Sequence, residues 1–140
     1  MQIAKEPRME DEAALFKVLA EPTRLRLAIL LAAEGETCVC QLAEALEAPE
    51  FRISRHLGIM RSAGLVQVRR EGTWMFYSLC EPRNTLEKCL QGCFRDCLAD
   101  QPIPQADRQK LASASCGPTK GPVPVCTPET PIESNKPKEA

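Results

Sequence analysis

Cys38-Val39-Cys40 sets two thiols one residue apart, just ahead of a stretch in which Leu42, Ala43 and Leu46 share a helical face. On a regular helix that spacing means a rotation of about 200°, so the two sulfurs could not meet one ion there. Where the chain is extended, or just entering a helix, both sulfurs can turn to one side while Val39 points inward. A helix N-terminus also favours the thiolate, the form that binds metal. Thiolates without a histidine or carboxylate beside them suit soft ions: arsenite and antimonite first, then Cd(II), Pb(II) and Zn(II).

The chain has eight cysteines in 140 residues. Cys89, Cys93 and Cys97 recur every fourth residue on an apolar stripe with Leu86, Leu90, Phe94 and Leu98. Successive members stand about 6 Å apart in rise and the outer pair about 12 Å. Metal–sulfur bonds of about 2.3 Å keep ligand sulfurs within roughly 4 Å of each other. Adjacent members can therefore share an ion, but one straight helix cannot bring all three to it. The same three residues suit packing equally well. Cys80, at the end of a strand, and Cys116 and Cys126, in the C-terminal region, are further thiols, and the tail could fold over to supply one. No apolar segment resembles a signal peptide or a membrane span, so the expected location is cytoplasmic, without membrane contact and with thiols reduced.

Charge points to a different chemistry. The formal net charge is −1, yet residues 51–70 carry five arginines, at 52, 55, 61, 69 and 70, with His56 and no acidic residue. A block of one sign is the electrostatic footprint of a polyanion site. His56 is the only histidine, which excludes a His-rich metal site and most histidine-dependent catalysis. No nucleophile–base pair or phosphate loop is visible, so no enzyme and no catalytic cofactor are expected.

The elements that must position these groups follow from periodicity. Residues 9–20 form an amphipathic helix, and a second, from Pro22 to about Glu34, is apolar on most sides and ends at Gly35. A short helix from Thr37 or Cys38 to about Glu47 precedes one that begins at Pro49-Glu50, covers Ile53, Leu57, Ile59 and Met60, and stops at Gly64. That is the spacing of a helix-turn-helix. The period then changes to two: Val66, Val68 and Arg70 alternate, Glu71-Gly72 signals a turn, and Trp74, Phe76 and Ser78 alternate again. A hairpin directly after a helix-turn-helix is a wing. A last helix, capped by Asn84 or Thr85, runs to Leu98 with Glu87, Lys88, Gln91, Arg95 and Asp96 outside its apolar stripe.

On the second helix of the helix-turn-helix, Arg52, Ser54, Arg55, His56 and Arg61 can reach base edges and phosphates. In the wing, Arg69, Arg70 and Thr73 are placed for phosphates or the minor groove.

"EPTRLRLAILL", "GETCVCQLAEAL", "RISRHLGIMRSAGLV" and "REGTWMFYSL", in this order and spacing, resemble the ArsR/SmtB family of metal- and metalloid-sensing winged-helix repressors. The resemblance covers about Leu15 to Leu79. It implies a mainly α fold with a β-hairpin wing, a homodimer joined through the terminal helices, double-stranded operator DNA as partner, and release when an ion binds. It also implies that Cys38 and Cys40 are ion ligands. Two departures stand out: the arsenic-responsive branch often reads CVCxxC where this chain has Ala43, and residues 1–37 contain no cysteine to complete a cadmium-type site. A third is Pro49 and Phe51, in place of a serine cap and a proline ahead of the recognition helix.

Composition divides the chain. From Gln101 to Ala140 there are eight of the twelve prolines and no aromatic residue, too little apolar surface to offset ordering entropy. The expected organisation is a DNA-binding and dimerisation domain over residues 1–99 and a Pro-rich disordered tail over 100–140. A thiol-redox regulator, in which oxidation of paired cysteines releases DNA, is the alternative on the same scaffold.

Overall fold

The computed structural model describes residues 9–117. Its elements are α1 (Met9–Leu19), α2 (Pro22–Glu34), β1 (Thr37–Cys38), α3 (Val39–Leu46), α4 (Glu50–Ser62), β2 (Val66–Glu71), β3 (Trp74–Leu79), α5 (Thr85–Cys93), a π-helical turn (Phe94–Leu98) and α6 (Pro102–Ala112). The fold is mainly helical with a β-hairpin wing, as expected.

The centre is α2. Glu21 caps it by accepting from the Arg24 N–H at 3.0 Å, and Pro22 occupies the first turn, where its missing N–H costs nothing. Leu27 to Leu31 are all buried, so nearly every side of the helix meets a neighbour. Leu15 and Leu19 of α1, Leu42 and Ala45 of α3, and Ile53, Leu57 and Met60 of α4 close around it. The last three lie at i, i+4 and i+7, one face of the recognition helix. Ile59, assigned to that face from sequence, is instead 38% exposed.

The wing sheet has three strands in the order β1-β3-β2, all antiparallel. Glu71 pairs with Trp74, leaving a two-residue loop of Gly72 and Thr73 in which Gly72 takes φ 62°. Tyr77 opposes Val68 and Leu79 opposes Val66, so the inner face of β3 carries Met75, Tyr77 and Leu79. The alternation read from Trp74, Phe76 and Ser78 marks the outer face.

Helix α5 departs from its expected stripe. Glu87, placed outside it from sequence, is buried, and its carboxylate accepts from the Arg83 N–H at 2.8 Å and from the guanidinium Nη2 at 2.6 Å. Arg83 also donates to the Ala63 carbonyl at 3.3 Å and covers Gly64, where an added Cβ would meet Nη1 at 2.6 Å. This brace ties the start of α5 to the end of α4. Beyond Cys93 the helix widens into the π turn, so the four-residue repeat breaks; Phe94 is buried while Cys89 and Cys97 are exposed.

The expected division at residue 99 also needs correction. Residues 102–112, read as disordered, form helix α6, which packs on α2 and α3. Prolines 102 and 104 fall in its first turn, where proline fits a helix. Pro104, Asp107, Leu111 and Ala114 make one inward stripe, and its anchor is polar. The Asp107 carboxylate, 1% exposed, receives Arg26 Nε at 3.0 Å and Nη2 at 2.7 Å. Arg108 pairs with Glu34 at 2.7 Å and Lys110 with Glu47 at 3.3 Å. A bidentate ion pair can dock a helix that composition alone leaves unattached. Residues 118–140 lie outside the described residues.

Replacing Asp107 by Ala is expected to lower stability by about 1–3 kcal/mol in urea unfolding, because it removes two charge-assisted hydrogen bonds and leaves Arg26 unpaired. A drop below about 0.5 kcal/mol, the size of an ordinary surface change, would show that this pair does not hold α6. For Glu87, burial pushes the carboxyl up, but the Arg83 hydrogen bonds outweigh it and hold it below the usual carboxylate range. A lowered folded pKa contributes stability that is present above the unfolded value of about 4.3 and lost as pH falls through the folded one. Glu87→Gln is therefore expected to flatten the stability profile below that pH, measured by thermal melts from neutral to acid.

Candidate functional site

Cys38 closes β1 and stands at the N-cap of α3 with φ −73° and ψ 143°, an extended conformation. Cys40 lies in the first turn of the helix. The change from strand to helix between them swings the second side chain round, and the two Sγ atoms stand 3.6 Å apart while Val39 is buried. Two sulfurs on one tetrahedral ion with bonds of about 2.3 Å would stand roughly 3.8 Å apart, so the pair fits a single thiophilic centre. Cys38 is 1% exposed and Cys40 is half-buried, which leaves Cys40 as the open side of the pair.

The electrostatics differ from the expected thiolate preference. Burial, then hydrogen bonds with Cys116 and Cys38, push the Cys40 thiol up from its ordinary value. Among the described residues, no three His, Cys, Asp or Glu side chains are already arranged to hold a metal ion.

β1 also belongs to the wing sheet. Cys38 pairs with Phe76 and Thr37 with Tyr77 on β3. The preceding Glu36 accepts from Arg69 Nε at 3.0 Å and Nη2 at 2.9 Å, and Glu71 accepts from Nη1 at 2.9 Å. The Arg69 guanidinium lies 4.7 Å from the centre of the Phe76 ring. Arg69, read from sequence as a phosphate contact, is thus occupied by two carboxylates of its own chain.

His56 is likewise turned inward. Its Nδ1 accepts from Arg24 Nη1 at 3.3 Å and stands 3.9 Å from the Glu21 carboxylate, bracing α4 against the start of α2. Arg52, Arg55 and Arg61 of α4, with Arg70 and Thr73 of the wing, are exposed, and Ser54 is half-buried. Among the described residues these arginines have no acidic partner, so the basic block remains available on one helix and one wing tip.

The other described thiols lie in three places. Cys93 and Cys97 are neighbours across the π turn, with Cys89 exposed a turn earlier. Cys80 is half-buried beyond β3, where its carbonyl accepts from Gln91 Nε2 at 2.9 Å. Cys116, beyond α6, stands against Cys40 and Glu44. Cys126 lies outside the described residues. Sequence patterning missed the closeness of Cys116 because it depends on the docking of α6.

A helix-turn-helix whose second helix carries an unpaired basic face, followed by a hairpin wing, defines a winged-helix DNA-binding protein. A family model described as bacterial regulatory protein, arsR family, matches residues 21–68. The chain is 43% identical over 76 residues to the HTH-type transcriptional regulator MJ1325 of Methanocaldococcus jannaschii, covering 54% of this chain and 85% of that protein. It is 51% identical over 65 residues to the arsenic resistance transcriptional regulator ArsR1 of Pseudomonas putida, covering 46% of this chain and 51% of the relative. It is 39% identical over 77 residues to a cadmium resistance regulatory protein, a CadC homolog, of Staphylococcus aureus, covering 55% and 63%. The chain therefore spans only about half the length of the Pseudomonas regulator.

Among solved structures, reduced HlyU from Vibrio cholerae aligns with a TM-score of 0.57 at 29% identity, over 66% of this chain and 93% of that one. The homodimeric winged helix-turn-helix domain Mb0332 of Mycobacterium bovis aligns with a TM-score of 0.53 at 28% identity, over 71% and 97%. The chain belongs to the ArsR/SmtB family: it is a DNA-binding transcriptional regulator, not an enzyme. Among the described residues, no helix is long and apolar enough to cross a membrane.

Glu36→Gln weakens the hold on Arg69 without touching the α4 arginines. Each arginine freed for a phosphate is expected to steepen the slope of log affinity against log salt by about 0.9. Fluorescence anisotropy of operator DNA across a potassium chloride series measures this, and an unchanged slope would show that Arg69 takes no phosphate.

Proposed function

We propose that this chain is a cytoplasmic repressor that binds operator DNA as a homodimer and lets go when a soft ion, arsenite first among them, bridges Cys38 and Cys40. The observation that carries the reading is the placement of two thiols 3.6 Å apart at the end of a strand of the wing sheet. Pulling those sulfurs together acts on β1, hence on β3 and the wing, and on α3, the first helix of the DNA-binding unit. The named roles of the Pseudomonas and Staphylococcus relatives, arsenic and cadmium resistance, support the choice of ion class.

On this reading Arg52, Ser54, Arg55 and Arg61 face the major groove, and Arg70 and Thr73 the flanking backbone. The dimer forms through α1, α5 and the π turn, where Phe16 is 49% exposed and Leu86, Leu90 and Leu98 are half-buried. Cys93 and Cys97 lie along that helix and its π turn and serve packing, with a shared ion as the second use of the same contact. Release follows from linkage: the ion must favour a dimer geometry in which the recognition helices no longer match successive grooves. A differential affinity of about 3 kcal/mol is enough for a more than hundredfold loss of DNA affinity.

The test is anisotropy of a labelled operator fragment from upstream of the gene, with arsenite, Cd(II) and Zn(II) titrated under reducing conditions. Arsenite is expected to release wild type by about a hundredfold and to leave Cys38→Ser/Cys40→Ser bound. Release of the double variant at the same arsenite concentration would move sensing to the terminal-helix thiols. A response that appears only after oxidation, and reverses with reductant, would replace the ion by thiol redox chemistry.

A further inference from the structure

The pair at Cys38 and Cys40 offers two sulfurs, and its own helix offers no third: the position a turn beyond Cys40 on the same face is Ala43. The chain after α6 brings one. Helix α6 is fixed on α2 and α3 by the buried Arg26–Asp107 pair and by Lys110–Glu47. Beyond it Ala114 is buried, and Ser115 donates its backbone N–H to both Glu44 carboxylate oxygens at 3.3 and 3.2 Å. Gly117 then turns with φ +87° so close to Gln41 that an added Cβ would meet its side chain at 3.0 Å. Between these two anchors on α3, Cys116 is held half-buried beside Cys40 and Glu44.

We propose that Cys116, delivered by the chain that follows α6, is the third thiol of the ion site at Cys38 and Cys40. The inference rests on the reading of that pair as the sensor and adds the ligand that completes it. Cys38 and Cys40 stand 3.6 Å apart, and Cys116 lies on the Cys40 side of the pair. No three described His, Cys, Asp or Glu side chains are already arranged around one ion, so binding requires the Cys116 side chain, which sits in a turn and not in a helix, to rotate toward the pair.

The ligand class is a trivalent arsenic or antimony hydroxide, or a soft divalent cation. With arsenous acid the exchange balances internally. Three S–H and three As–OH groups give three As–S bonds and three waters, arsenic keeps its oxidation state, and no outside oxidant is needed.

The consequence is structural as well as chemical. A bound ion would join β1, α3 and the end of α6, so that the C-terminal helix becomes part of the sensing unit.

The experiment uses the full chain, reduced with a phosphine under anaerobic conditions. Cd(II) is titrated while thiolate-to-metal charge-transfer absorbance is read, and thiols protected from Ellman's reagent are counted with Cd(II) and with arsenite. The proteins are wild type, Cys116→Ser, Cys126→Ser and Cys38→Ser/Cys40→Ser, each checked for folding by circular dichroism. For Cys116→Ser, absorbance is expected to drop by about a third, with one fewer thiol protected per protomer and Cd(II) affinity lower by about tenfold or more. Cys126→Ser is expected to match wild type. Unchanged absorbance, count and affinity in Cys116→Ser, or the loss appearing in Cys126→Ser instead, would overturn the assignment. Wild-type binding by the Cys38/Cys40 double variant would instead sink the parent reading of the sensor pair, an outcome distinct from the first two.

Discussion

The structure depends on a short antiparallel pairing, Thr37 with Tyr77 and Cys38 with Phe76. Without it the hairpin would be a two-stranded ribbon, marginal by itself in water, and the cysteine pair would sit on a loop. With it, a cysteine of the thiol pair is built into the sheet of the wing. Backbone ladders are stiff and directional, so a displacement of Cys38 is a displacement of β3. The same two residues end at the N-cap of α3, and the switch from extended to helical backbone there is what brings Sγ of Cys38 and Cys40 together. One local feature thus creates the thiol pair and connects it to both halves of the DNA-binding unit.

Charge is sorted by the same framework. Of the basic block in residues 51–70, Arg69 is drawn back to Glu36 and Glu71, and His56 to Arg24 and Glu21. Arg52, Arg55, Arg61 and Arg70 stay exposed. The inward two act as braces: His56 links α4 to the start of α2, and Arg69 links the wing to the residue before β1. Both ion pairs with Arg69 are half exposed, so each contributes little to stability, of the order of a few tenths of a kcal/mol. What such weak contacts can do is set geometry, and they can exchange a carboxylate for a phosphate at small cost.

Much of this was legible in the sequence. The helix-turn-helix, the hairpin with its Gly72 turn and the apolar faces of α2 and α4 all follow from strong periodicity bounded by proline and glycine. The closeness of Cys38 and Cys40 follows from asking where two residues can turn their side chains to one side. The failures have physical causes. Glu87 looked like solvent-facing polarity because its partner, Arg83, lies four residues upstream in a segment with no pattern. The alternation of Trp74, Phe76 and Ser78 gave the strand but not its inner face, which the register with β2 assigns to Met75, Tyr77 and Leu79. Helix α6 was missed because composition measures apolar surface, whereas this helix docks through a buried carboxylate and an arginine.

That last failure bears directly on the site. An ion held by two thiols on β1 and α3 would feel only the winged domain. With Cys116 as a third donor, as proposed above, the ion would also feel how firmly α6 is seated, and the seating is set by Arg26 and Asp107 on its inward face. The two are then linked: whatever favours the docked helix favours the ion, and the ion favours the docked helix by the same free energy. A sensor built this way needs no third cysteine within its own short helix, because the ordering of the C-terminal segment has already been met by contacts that do not involve the ion. The Ala43 departure from the family pattern and the packed C-terminal helix are, in that account, two sides of one arrangement.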